Sequence, residues 1–210
     1  MDAIESLEWG AYAHFSQKAA EQPNVLRFME IAYYLSDYVA IGFLFSLAAL
    51  LFVLQGKHRG AQLTAASLAV AVAVIFALRF WVPRMRPPAA QGWVGVNDMQ
   101  GSYPSAAVFL FMLAMILIGV ATWGPLRHWW RQALYTLIAS LLTVWVFFSQ
   151  FYLALGFLTD MLGGMAGAAA VALTAIQFMN EGTPAPAVGK LPAPEKRNQL
   201  KGRKRGPESL

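Results

Sequence analysis

Long apolar blocks separated by short polar breaks dominate the chain from residue 35 to residue 179. A helix needs about 20 apolar residues to cross about 30 Å of hydrocarbon. Five stretches come near that length: Leu35–Leu54, Ala61–Trp81, Pro104–Trp123, Ala133–Gln150 and Thr159–Met179. The last two are separated only by a brief pause at Gly156 and Asp160, where a tight reversal is predicted because the combined run is too long for one helix. Residues 1–34 follow a different pattern. Ile4, Leu7, Trp9, Tyr12 and Phe15 recur every three to four positions among Glu5, Glu8, Lys18 and Glu21. That spacing predicts an amphipathic helix, too polar to span, lying on the membrane surface. Gln22-Pro23-Asn24 breaks it, and a second helical stretch starts at Val25. From residue 180 to 210 the chain turns to Pro, Ala, Gly, Lys and Arg, which cannot build a core and is predicted to be disordered.

The expected fold class is therefore all-α: a polytopic membrane bundle of about five transmembrane helices with an N-terminal interfacial helix. Its segments are 1–34 at the interface, 35–179 in the bundle and 180–210 as a basic tail. Composition agrees, since 58% of the residues are hydrophobic and only 13% charged, against about 25% charged in a soluble domain. The first thirty residues do not read as a cleavable signal peptide, having neither a basic start nor an apolar run.

Charge gives the expected orientation. With five spans, the loops at 55–60 and 124–132 share a side with the tail, and that side holds eleven of the sixteen Lys and Arg residues. The positive-inside rule puts that side in the cytoplasm and the N-terminus outside. Trp123, Trp129 and Trp130 then mark a cytoplasmic interface belt. The net charge of +5 sits largely in the tail, with no interleaved aromatics. Anionic lipid headgroups, rather than nucleic acid, are its expected partner. With no cysteine, thiolate chemistry and disulfides are excluded, and no metal site or cofactor is predicted.

Unusual polar residues gather on the outer side. The loop after the second span carries Arg79, Arg84 and Arg86, and guanidinium binds phosphate in a planar, bidentate way. Taken alone, snorkelling anchors explain these arginines equally well. The third span opens with Gly101-Ser102-Tyr103-Pro104-Ser105-Ala106-Ala107, a helix start that favours an anion or is simply capped. Between the last two spans, Ser149-Gln150 is followed by Gly156 and Asp160; the aspartate alone reads as an interfacial cap. Gly163 and Gly167, with Ala168 and Ala169, form a small-residue stripe for close helix packing, with homodimerisation as the other use.

Together these segments resemble the type 2 phosphatidic acid phosphatase family, related to vanadium haloperoxidases. Its pattern is KxxxxxxRP, PSGH and SRxxxxxHxxxD, matched here by Arg79-x6-Arg86-Pro87, Pro104-Ser105-Ala106-Ala107 and Ser149-Gln150-x5-Gly156-x3-Asp160. The resemblance covers about residues 5–178 and implies an outward-facing pocket for a lipid phosphate or polyprenyl phosphate in a bacterial inner membrane. Arg79, Arg86, Ser105, Ser149 and Gln150 fall on its phosphate-binding positions.

The departures fall on the reacting groups. The resemblance implies a nucleophilic histidine where Gly156 stands and an acid histidine where Ala107 stands. Asp160, which would orient the nucleophile, is left without its client. Covalent phosphoryl transfer needs a nucleophile and a proton donor, and glycine and alanine supply neither. Of the three histidines, His58 and His128 fall in cytoplasmic loops, and His14 reads as a solvated surface residue. The expected function is a catalytically inactive relative that binds lipid phosphates or serves as a subunit of a membrane complex. The alternative is an active lipid phosphatase with rearranged groups, using Ser105, Ser149 or water held by Asp160. A structural or transport protein with an accidental motif match is a third reading, favoured if Arg79, Arg86, Ser105 and Asp160 lie far apart.

Overall fold

The apolar blocks become helices in the computed structural model, which describes residues 8–11, 13–14, 17, 21–86, 101–123, 125 and 128–181. Helix α1 (Pro23–Leu35) starts at the expected break, with Pro23 in its first turn, where no amide hydrogen is needed. It ends at Ser36, whose backbone N–H and hydroxyl both turn back to the Tyr33 carbonyl. Asp37 then caps α2 (Tyr38–Leu54) by accepting from the Val39 amide at 3.5 Å. The two helices meet at a 51° bend. Gly56, at φ 72°, makes the turn into α3 (His58–Trp81), a backbone region that costs glycine nothing. Three further helices complete the bundle: α4 (Ala106–Trp123), α5 (Trp129–Tyr152) and α6 (Leu158–Glu181).

Four of these, α3 to α6, are long and apolar enough to cross a membrane, and the bent pair α1–α2 makes a fifth, broken span. The protein is an integral membrane helical bundle, as its sequence predicts. The first span differs in detail. Its straight part begins at Tyr38 rather than Leu35, because Ser36 and Asp37 satisfy the chain ends on both sides of the bend. Pro104 lies ahead of α4, behind a cis Tyr103–Pro104 bond, not in the first helical turn as expected. The predicted reversal between the last two spans is present, running from Leu153 to Phe157 with its side chains buried. Apart from Asn180 and Glu181, which continue α6, the predicted disordered tail lies outside the described residues, as do most residues of the predicted surface helix.

Helix α4 is the centre. Val108, Phe109, Leu113, Ala114, Leu117 and Ala121 are wholly buried, and a stripe along Met112, Ile116 and Val120 is half-buried. Helix α2 packs on both α3 and α4, α1 packs on α5, and α5 packs on α4. Glycines let α6 come in closely: a Cβ on Gly164 would meet the Ser105 carbonyl oxygen at 2.7 Å, and one on Gly167 would strike the Phe109 ring. The small-residue stripe is thus used inside the bundle. Outward faces carry Phe43, Phe76, Leu141 and Leu173, which water would not tolerate in such density and lipid would. Trp81 is exposed at one end of the bundle, and Trp123, Trp129 and Trp130 at the other, the spacing of two aromatic belts.

Candidate functional site

The bend between α1 and α2, the end of α3, the start of α4 and the reversal before α6 all meet at one end of the bundle. They enclose a cavity of about 80 Å³, lined by Tyr33, Ser36, Asp37, Tyr38, Arg79, Arg86, Ser102, Ser105, Ala106, Ala107, Gln150, Leu155 and Gly156. Six positions from the three motif segments therefore share one space: Arg79, Arg86, Ser105, Ala107, Gln150 and Gly156.

Each is placed by a local device. Arg79 occupies the last turn of α3, and its buried Nε has no hydrogen-bond partner. Arg86 is carried by the loop after α3 and donates from Nη1 to the Leu155 carbonyl at 3.1 Å. Burial pushes the Arg86 guanidinium below its ordinary value, and the positive charge of Arg79 adds to that push. An anion between them would relieve both effects. Ser105 is held from two sides: its amide donates to the Asp160 carbonyl at 2.9 Å, and its carbonyl accepts the first α4 bond, from Phe109. Ala106 and Ala107 thus bring the first turn of α4 to the cavity wall, where free helix N–H groups favour negative charge. Gln150 is buried and donates to the Ser36 hydroxyl at 3.4 Å, which joins α5 to the α1–α2 bend.

Two sequence expectations need correction. Ser149 is fully buried and donates to the Val146 carbonyl at 2.8 Å; it does not line the cavity. Helical geometry turns it a hundred degrees from its neighbour Gln150, into the bundle. The three arginines are not one site either, because Arg84 points away from the cavity. Its Nη1 lies 3.0 Å from Asp160 Oδ1, and its Nη2 forms an ion pair with Glu8. Asp160, left without a histidine to orient, is instead engaged by Arg84. It is fully buried, accepts from the Phe157 amide at 2.9 Å, and has Arg84 as its cation.

Glu8 is the residue that sequence reasoning missed, having placed it on a solvated helix face. It is buried and accepts from the Thr159 amide at 3.0 Å and from the Thr159 hydroxyl at 2.7 Å. Burial pushes its carboxyl up, but the Thr159 hydrogen bonds and Arg84 outweigh that and hold it below the ordinary value. Arg84 shows the converse: burial pulls it down, while Glu8 and Asp160 raise it overall. Its guanidinium also sits 4.2 Å from the centre of the Phe157 ring, whose edge Trp9 contacts. No single signal in the sequence marks Glu8; only its apolar neighbours Leu7 and Trp9 hint that this face packs. His14 is exposed and does not line the cavity, and His58 and His128 stand at the opposite end of the bundle.

This arrangement of helices has a solved counterpart. The chain superposes on a transmembrane PAP2 type phosphatidylglycerolphosphate phosphatase from Bacillus subtilis with a TM-score of 0.74. The match covers 89% of this chain and 90% of that one, at 18% sequence identity. The fold is that of a PAP2 type membrane phosphatase. No family model and no curated protein matches the chain. The likeness is thus one of fold, seen in three dimensions.

Proposed function

We propose that this protein is a catalytically inactive relative of the PAP2 type phosphatases that binds a lipid phosphate or polyprenyl phosphate. One observation carries the reading. Arg79, Arg86 and the start of α4 face one cavity, while Gly156 and Ala107 occupy the wall where attacking and protonating groups would stand. Two guanidinium groups and a helix N-terminus supply the charge and hydrogen bonds a phosphate needs. Alanine and glycine supply no lone pair to attack phosphorus and no proton for a leaving alkoxide. Binding without turnover suits a scaffold or subunit of a larger membrane complex, with the basic tail on anionic lipid. The cavity faces the outside of a bacterial inner membrane in this reading, on the strength of the charge asymmetry between loops.

The test is direct. Purified protein is given phosphatidate, lysophosphatidate or undecaprenyl diphosphate, and both bound ligand and released phosphate are measured. Saturable binding that Arg86→Ala abolishes, without release, is the expected result. Release that vanishes with Arg86→Ala would refute inactivity. It would favour the second reading, a phosphatase using the Ser105 hydroxyl, which does line the cavity.

A further inference from the structure

Behind the Gly156 wall of the cationic cavity lies a carboxylate. Gly156 lines the cavity, and the place a Cβ would take there is 3.4 Å from Asp160 Oδ2. With glycine at that position, no side chain from it stands between Asp160 and the cavity. The charge reaches through: Asp160 is one of the groups acting on the Arg86 guanidinium, which lines the same space. Asp160 is fully buried, so salt and water do little to screen it. An anion entering between Arg79 and Arg86 therefore meets two cations in the cavity and a carboxylate one residue behind its wall. At an effective dielectric of about 20, one unit charge within about 12 Å of another changes an affinity about tenfold. Left alone, Asp160 would oppose the binding that the arginines favour.

Arg84 engages the other oxygen of this carboxylate. Its Nη1 lies 3.0 Å from Asp160 Oδ1, while Oδ2, the oxygen nearer Gly156, accepts from the Phe157 amide at 2.9 Å. The guanidinium is held in place. Its Nη2 pairs with Glu8, Glu8 is tied to the Thr159 amide and hydroxyl, and the Phe157 ring centre is 4.2 Å away. Arg84, Glu8 and Asp160 do not line the cavity. We infer that Arg84 sets the anion affinity of the cavity without touching the anion, as the counter-ion that offsets Asp160 from behind the wall. Arg84 is thus a positioning residue that acts through Asp160. Glu8 shares the cation, so the three groups together carry one negative charge; without Arg84 they would carry two. The inference rests on the lipid-phosphate reading and deepens it. It explains how a cavity that keeps the aspartate, yet has no side chain at 156, still admits a phosphate.

Equilibrium dialysis of radiolabelled orthophosphate against the full-length protein in lipid nanodiscs, at one pH and one ionic strength, tests this. Arg84→Met is expected to weaken binding about tenfold, and Asp160→Asn to tighten it by a similar factor. The double variant leaves Glu8 as the remaining charge of the three, the same sum as in the wild type, so its affinity should return close to the wild-type value. A role confined to holding the wall together gives the opposite order, because Asp160→Asn then weakens binding and the double variant binds worst. That order would overturn the inference. If Arg84→Met fails to fold, Asp160→Asn and the double variant still decide, since neither strands a buried carboxylate at 160. A wild-type protein that binds orthophosphate saturably, with Asp160→Asn binding more weakly, sinks the counter-ion role alone. A wild-type protein that binds none sinks the phosphate site, and this role with it.

Discussion

A Cβ built on Gly156 would stand 3.4 Å from Asp160 Oδ2, an ordinary van der Waals contact. Gly156 is not a glycine that its backbone requires. The reversal's left-handed residue is Ala154, at φ 56°, and Gly156 lies outside that region. A side chain at 156 therefore meets neither a backbone penalty nor a wall, and it points toward a buried carboxylate. We predict that Gly156→His, combined with Ala107→His and Gln150→Arg, yields phosphate release from lysophosphatidate, where Gly156→His alone yields none. The triple variant restores nucleophile, acid and a third cation together, and groups that act as a unit do not contribute separately. Folded triple variant with wild-type background release would show that the cavity no longer aligns a phosphate.

Arg84 is the competitor in that experiment, because it already holds Asp160. Replacing it with methionine leaves a fully buried carboxylate without its cation, held by neutral donors such as the Phe157 amide. Loss of one partner of a buried pair costs about 3–5 kcal/mol. Arg84 is 27% exposed, and solvent screening reduces the expected loss to about 1–3 kcal/mol. Chemical unfolding in detergent should show that loss for Arg84→Met. Adding Asp160→Asn should recover part of it, since the second change removes the stranded charge. Equal and additive losses would show that the pair is not coupled.

The bundle was legible because hydrocarbon imposes a length and a composition on every span. The two cavity arginines and Ser105 were legible only through the resemblance of Arg79-x6-Arg86-Pro87 and Pro104-Ser105 to the phosphatase motifs, since alone they read equally well as membrane anchors and a helix start. Arg84 and Glu8 were not. Nothing in the spacing of Arg79, Arg84 and Arg86 tells which guanidinium finds carboxylates, and that depends on a contact between residue 8 and residue 159. Such long-range pairing has no local periodicity to announce it. Ser149 failed for a simpler reason: it lies a hundred degrees around the helix from Gln150, on the side turned into the bundle, where its hydroxyl donates to the Val146 carbonyl.

Glu8 makes the attachment of the N-terminal segment depend on pH. Its folded value is held below the ordinary carboxylate value of 4.5. A depressed carboxyl contributes stability above its unfolded value, and that contribution disappears as pH falls through the folded one. Protection of the amides around Thr159, measured against their intrinsic exchange rate at each pH, should therefore stay high at neutral pH and fall on acidification below the ordinary carboxylate range. Glu8→Gln should show the lower protection already at neutral pH and lose that part of the acid dependence. An unchanged profile in Glu8→Gln would assign the transition to another carboxyl.

Phosphate binding should also be visible as stability. Arg86 and Arg79 repel each other in a partly dry cavity, so an anion that enters only the folded state raises the unfolding midpoint. At one hundred times its dissociation constant, a single-site ligand adds about 2.7 kcal/mol. We predict a midpoint that climbs with orthophosphate or vanadate in the wild type and stays flat in Arg79→Ala and Arg86→Ala. Arg86→Lys should retain only part of the effect, because an ammonium cannot reproduce two parallel bonds to one phosphate or the bond to Leu155 in the same geometry. A rise of equal size in all four proteins would indicate a general salt effect.

Gly164 links bundle packing to the cavity. A methyl group there would lie 2.7 Å from the Ser105 carbonyl oxygen and 3.3 Å from the Phe109 amide nitrogen, both backbone atoms that cannot rotate aside. Helix α6 must then move away from α4, and Ser105 moves with it, because its amide is bound to the Asp160 carbonyl on α6. Overpacking of this kind costs about 1–3 kcal/mol. Gly164→Ala should therefore lower both the unfolding midpoint and the stabilisation gained from orthophosphate. Gly42 is the control: a Cβ there meets nothing within 4 Å, so Gly42→Ala should leave both quantities near their wild-type values. If Gly164→Ala lowered stability in proportion to protein concentration instead, the glycine stripe would be acting between chains.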